Sequence, residues 1–205
     1  MGDILSLFIE SIFAENMVFV YFLGMCPILA ISKTIRTSIG FAAALCFILI
    51  VTLPINYLLE TYVLKPGALS WLGAEYAEVD LTFLGFILFI AVIASVTQVV
   101  EMVIEKYAPA LHQTLGIFLP LIAVNCAIFA GSLFMQERNF PNIGYASVYA
   151  LGAGVGWFIA IVGIAAIREK LAYSNVPAPL RGLGITFITV GLMAIGFMCF
   201  SGIKI

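Results

Sequence analysis

Six apolar blocks, at roughly 9–31, 39–59, 81–101, 113–135, 147–167 and 183–201, are separated by linkers that hold most of the charge and many of the helix breakers. Each block is close to the ~20 residues a helix needs to cross a hydrocarbon core. Composition points the same way. Of 205 residues, 63 % are hydrophobic and 10 % charged, and the mean hydropathy is +1.17. Soluble domains run near a quarter charged, and a soluble chain this small buries too little of its surface to hide so much apolar area. A soluble enzyme, a nucleic-acid binder and a disordered chain are excluded. The fold class expected is all-α: a polytopic membrane protein with six transmembrane helices in one integral domain, 1–205.

The net charge of −2 gives no footprint for a polyanion. Four cysteines in apolar runs do not make a secreted disulfide scaffold. The N-terminus carries Asp3 and Glu10 and no early lysine or arginine, so the first apolar block is expected to stay in the mature protein. If the N-terminus faces outward, the inner linkers hold Lys33, Arg36, Lys106, Arg168, Lys170 and Arg181, against Lys65, Arg138 and Lys204 outside. That bias predicts both termini on the outer side, which is the periplasm if the membrane is a bacterial inner membrane. The acidic linker at 60–80 is then external, where Trp71 and Tyr76 either rest in the interface or are solvated.

Three spans lie on each side of residue 105, so the halves 1–105 and 106–205 are expected to be inverted relative to each other. The two first spans strengthen this expectation. Span 1 reads SIFAENMVFVYFLGMCPILAIS, with Gly24 and Pro27 bracketing Cys26. Span 4 reads LGIFLPLIAVNCAIFAGS, with Pro120 ahead of Asn125 and Cys126. Proline removes an amide donor and glycine weakens a helix, so helices 1 and 4 are expected to be broken. Backbone irregularity at membrane depth must be covered by protein or face a polar cavity.

Cys46 and Cys199 read as small buried hydrophobes. Cys26 and Cys126 have three readings: packing, a disulfide, or thiolate ligands for a metal centre. An iron–sulfur centre needs four ligands, so half would have to come from a second chain. The sequence has no C-x-x-C motif. Glu15, Asn16, Asn56, Gln98 and Glu101 are polar groups toward the ends of spans. Glu15 is the best placed for an ion route, with an interhelical contact as the plain alternative. Gly152, Gly156 and Ala160 form a small-residue packing face. His112, the one histidine, has no serine and carboxylate at its level, and no phosphate-binding loop exists.

The stretches FAENMVFVYFLGMCPILAISK, LGIFLPLIAVNCAIF, IREKLAYSNVPAPLRG and GITFITVGLMAIGFMCFSG are long and unusual. Through them the whole chain resembles the E-type membrane subunits of the sodium-translocating NADH:quinone oxidoreductases. The paralogous A subunits of Rnf-type ferredoxin:NAD oxidoreductases are the alternative, and a small inverted-repeat ion transporter without redox role is the other. The linker at 60–80 and the run GAGVGW at 152–157 favour the first.

The resemblance implies a six-subunit complex in the bacterial inner membrane. A homologous D-type subunit of opposite orientation would be the direct partner, with subunits A, B, C and F completing the assembly. FAD, FMN and riboflavin would sit on other subunits and carry electrons from NADH toward ubiquinone, coupled to sodium export. It also implies a [2Fe–2S] cluster shared with the partner, with Cys26 of the GMCP motif and Cys126 of the VNCA motif as this chain's ligands.

Overall fold

The computed structural model describes residues 2–65, 82–107, 109, 113, 116, 118 and 120–200. Trp71, Tyr76 and His112 lie outside these residues. The fold is all-α, and no strand occurs among the described residues. In chain order the α-helices are α1 (Gly2–Ile9), α2 (Met25–Ile31), α3 (Ile35–Leu59), α4 (Gly85–Tyr107), α5 (Pro120–Ala123), α6 (Cys126–Arg138), α7 (Ile143–Leu171) and α8 (Leu183–Met198). Wider π-helical turns extend α1 over Glu10–Ala14 and α3 over Glu60–Leu64.

The antiparallel pair α3 and α7 forms the centre. Arg168, near the end of α7, donates from Nη1 to Leu29 O (3.1 Å) and Ser32 Oγ (2.6 Å), just before α3 begins. At the opposite end Tyr57 Oη donates to Phe140 O (3.0 Å), just before α7 begins. Between these ties, Phe41, Leu45, Ile48 and Leu49 of α3 and Trp157, Ala160, Ile161 and Ile164 of α7 are fully buried. The glycines of α7 permit the close approach. A Cβ on Gly152 would lie 2.7 Å from Ser11 Cβ, and one on Gly156 would lie 3.1 Å from Ile12 O. The expected small-residue face is therefore the seat of the N-terminal helical arm.

Four helical stretches among the described residues are long and apolar enough to cross a membrane: Ile35–Leu64, Gly85–Tyr107, Pro120–Arg138 and Ile143–Leu171. Hydropathy along the sequence predicts six. The first expected span is interrupted over 15–24, so neither piece is long enough alone. The last, α8, has 16 residues, about 24 Å of helix against ~30 Å of hydrocarbon. The helices turn apolar side chains outward: Phe86, Ile87, Ile90, Val99 and Val103 on α4, and Phe187, Leu192 and Ile195 on α8, are all exposed. A surface of this kind is stable against lipid and not against water. The protein is a multi-pass membrane protein.

Candidate functional site

The chain leaves helical geometry at Glu15 and re-enters it at Met25. Gly24 sits at the helix start with φ +76°, a left-handed conformation, and Phe22 shares it at φ +56°. Pro27 falls in the first turn of α2, where its missing amide costs no intrahelical bond. The interrupted segment is largely covered, with Tyr21 and Phe22 turned outward. Met17, Val18 and Phe19 are buried. Several of its backbone donors are answered internally, as buried amides must be away from water. Asn16 Oδ1 accepts from Val18 N (3.0 Å) and Phe19 N (3.3 Å), and Leu23 N donates to Met17 O (2.8 Å). Asn16 Nδ2 donates to Ile12 O (3.0 Å) and to Gly156 O (2.9 Å) on α7. One buried amide thus caps the break and ties it to the central helix.

The second interruption is shorter. Pro120 opens α5, which ends at Ala123, and Asn125 in extended conformation caps α6 by accepting from Ala127 N (3.0 Å) at its Oδ1. Cys126 is the first residue of α6 and Cys26 the second of α2. Both stand in a first turn, where unpaired backbone amides favour negative charge.

The two breaks meet. Gly24 N donates to Cys126 Sγ at 2.9 Å, which puts that sulfur against a residue two positions from Cys26 in the other half of the chain. Both cysteines are exposed. Next to Gly24 is Trp157, fully buried at the midpoint of α7. Its Nε1 donor and the Nδ2 donor of Asn125 have no acceptor. The site therefore lies halfway along the longest helix. Sequence reasoning names Cys26 and Cys126 but misses Trp157; its place next to the glycines in GAGVGW is the available signal. Cys46 packs its sulfur against Gly154, and Cys199 is exposed at the end of α8. Neither takes part in the paired breaks.

The expectation that Cys26 and Cys126 carry half of a [2Fe–2S] cluster is overturned. Such a cluster is held by four thiolate or imidazole ligands. Among the described residues no group of three or more histidine, cysteine, aspartate or glutamate side chains gathers to hold a metal ion, and all four cysteines are free. The donor set at the junction is two thiols flanked by amide and indole N–H groups, two short of the four ligands that a cluster needs. The iron–sulfur cofactor and the electron relay through it are withdrawn with it.

Glu15 is not a free carboxylate facing an ion route. It pairs with Arg138 at the end of α6, and both are partly buried. The Arg138 guanidinium also lies 5.4 Å from the centre of the Tyr149 ring. This pair locks the first break to the second half of the chain. Glu15→Gln and Arg138→Met are each expected to lower stability by about 1–2 kcal/mol, with the double variant costing less than the sum. Thermal unfolding of the four forms in detergent measures this. Strict additivity would show that the pair carries no coupling.

Comparison with known proteins covers the whole chain. A family model described as "Rnf-Nqr subunit, membrane protein" matches residues 4–204. The chain is 54 % identical over 205 residues to the E subunit of the Na(+)-translocating NADH-quinone reductase of Psychrobacter cryohalolentis. Identity is 54 % to the protein of that name from Ectopseudomonas mendocina and 53 % to that of Pseudomonas aeruginosa. In each case all of this chain and all of the relative are covered.

Proposed function

The chain belongs to the Rnf-Nqr subunit family, and from that membership we propose that it is a membrane subunit of a sodium-translocating NADH:quinone reductase. The observation that carries this is end-to-end identity above one half with subunits of that name. The chain is not catalytic alone. It works in the bacterial inner membrane beside a homologous D-type subunit of opposite orientation and subunits A, B, C and F.

In this reading the chain is one integral domain, 1–205, of two inverted halves, approximately 1–105 and 106–205. Six crossings are reached by counting the interrupted first span and the short α8. Support comes from the matching breaks, one at the start of each half, which meet at Gly24 and Cys126. The excess of lysine and arginine on one set of linkers supports periplasmic termini. Cys26 and Cys126 are the residues of this chain on which the complex's reaction depends. Their support is a place in the first turn after each break and an amide donor aimed at one sulfur.

The test is to purify the complex with this chain as wild type, Cys26→Ala, Cys126→Ala and Cys46→Ala. NADH-driven quinone reduction and sodium uptake into vesicles are then measured. Cys26→Ala and Cys126→Ala are expected to lower both rates at least about tenfold while the complex stays assembled. Cys46→Ala is expected to keep them. Full activity in both junction variants would return the two thiols to packing. Failure of the wild-type chain to co-purify with its partners would sink the assignment to the complex itself.

A further inference from the structure

The linker IREKLAYSNVPAPLRG borders a half-open cavity of about 150 Å³ between the end of α7 and the start of α8. Arg168, Leu171, Val176, Arg181, Ile185 and Thr186 line it. Two features set it apart from a packing defect. First, its lining includes two arginines, and among the described residues neither has a carboxylate partner. Glu169, next along α7, is exposed and is not part of the lining. Second, Arg168 is fixed in place. Its Nη1 is held by Leu29 O and Ser32 Oγ, which leaves Nη2 and Nε without a protein acceptor. Two arginines without carboxylate partners beside one cavity leave positive charge that an anion would neutralise.

The remaining lining is mostly apolar, and exposed Leu180, Leu183 and Phe187, next in sequence to lining residues, give it an apolar rim. A dissolved anion makes no use of that apolar rim. An amphiphile with a phosphate at its polar end and acyl chains along α8 uses both parts. The opening turn of α8 adds to the field: Gly182, with φ +101°, has no side chain to cap it, and the positive helix end lies at the cavity wall. Basic pockets between helices on the cytoplasmic side, where the proposed orientation puts this linker, suit anionic headgroups.

We propose that the cavity between α7 and α8 binds the phosphate of an anionic phospholipid, with Arg168 and Arg181 as its two clamps and α8 as the track for the acyl chains. The site stands apart from the cysteine junction and does not depend on how that junction works.

The test uses the full chain within its assembled complex, reconstituted into phosphatidylcholine nanodiscs. These are doped with either a photoreactive phosphatidylglycerol or the matching photoreactive phosphatidylcholine, and cross-links are mapped by peptide mass spectrometry. Phosphatidylglycerol is expected to label the segment 171–186. Arg181→Gln is expected to reduce that labelling about fivefold, the effect of one basic side chain at an anionic surface. Lys170→Gln, an exposed neighbour outside the lining, is expected to leave it unchanged. Arg181 is exposed, so this variant does not disturb Arg168 and its structural bonds. Equal labelling by phosphatidylcholine, or labelling indifferent to Arg181→Gln, would overturn the proposal. Loss of labelling on adding millimolar inorganic phosphate would assign the cavity to free phosphate and overturn the lipid reading.

Discussion

Gly24→Ala is expected to lower the stability of the protein by about 2–5 kcal/mol and to remove most of it from assembled complexes. Two costs add. The residue holds φ +76°, where a β-carbon meets the following carbonyl. The added carbon would also lie 2.6 Å from Trp157 Nε1, 3.0 Å from Asn125 Oδ1 and 3.1 Å from Ala127 Cβ. None of these neighbours can give way cheaply. Trp157 is fully buried on α7 against Phe41 of α3, Asn125 is engaged as a helix cap, and Ala127 is part of a helix. Any backbone shift that relieves the clash moves the Gly24 amide off Cys126 Sγ. Gly182 provides the control. It too has positive φ, +101°, but a carbon placed there meets nothing within 4 Å. Gly182→Ala therefore carries a backbone cost without a clash, at a conformation of its own (ψ −116°, against 22° at Gly24). Thermal unfolding midpoints of the two variants in detergent separate the terms. If Gly24→Ala costs no more than the ~1–2 kcal/mol of a left-handed backbone, the close packing of the two breaks is wrong.

The breaks themselves are legible in the sequence, because proline and glycine act on the backbone within one turn of where they stand. Gly24, Pro27 and Pro120 mark both interruptions, and Cys26 and Cys126 stand out for their place beside them. Hydropathy is blind to such interruptions. It counts apolar side chains whatever the backbone does, so the block at 9–31 reads as one crossing although 15–24 is not helical. The partners of the polar residues are equally hidden. Glu15 finds Arg138 and Asn16 finds Gly156, each more than a hundred positions away, and nothing local in either sequence neighbourhood announces the other. The iron–sulfur expectation fails for a different reason. It comes with the resemblance, whereas the residues themselves leave packing, disulfide and ligation open. Among the described residues the junction gathers only two thiols.

Asn16→Ala is the second change expected to be severe, and its comparison with Asn125→Ala tells why. Both asparagines cap an interruption, and both are buried. Asn16 uses its whole side chain: Oδ1 receives two amides and Nδ2 serves two carbonyls. Removing it strands the N–H groups of Val18 and Phe19 in a buried segment, each at a cost of about 1–3 kcal/mol. It also unties the break from α7. Gly156 O and Ile12 O lose a donor but keep other ways to be satisfied, so the amides dominate. Asn125 makes one such bond, and its Nδ2 donor already lacks an acceptor. Truncating it loses one cap, about 1 kcal/mol, and removes an unsatisfied donor at the same time. Asn16→Ala should therefore destabilise by about 2–6 kcal/mol and Asn125→Ala by about 1 kcal/mol or less. Unfolding midpoints give the totals, and amide hydrogen exchange at Val18 and Phe19 locates the damage. Fast exchange at those two amides in Asn16→Ala alone is the expected pattern. Equal losses in the two variants would mean that burial of an asparagine, and not the bonds it makes, holds each break in place.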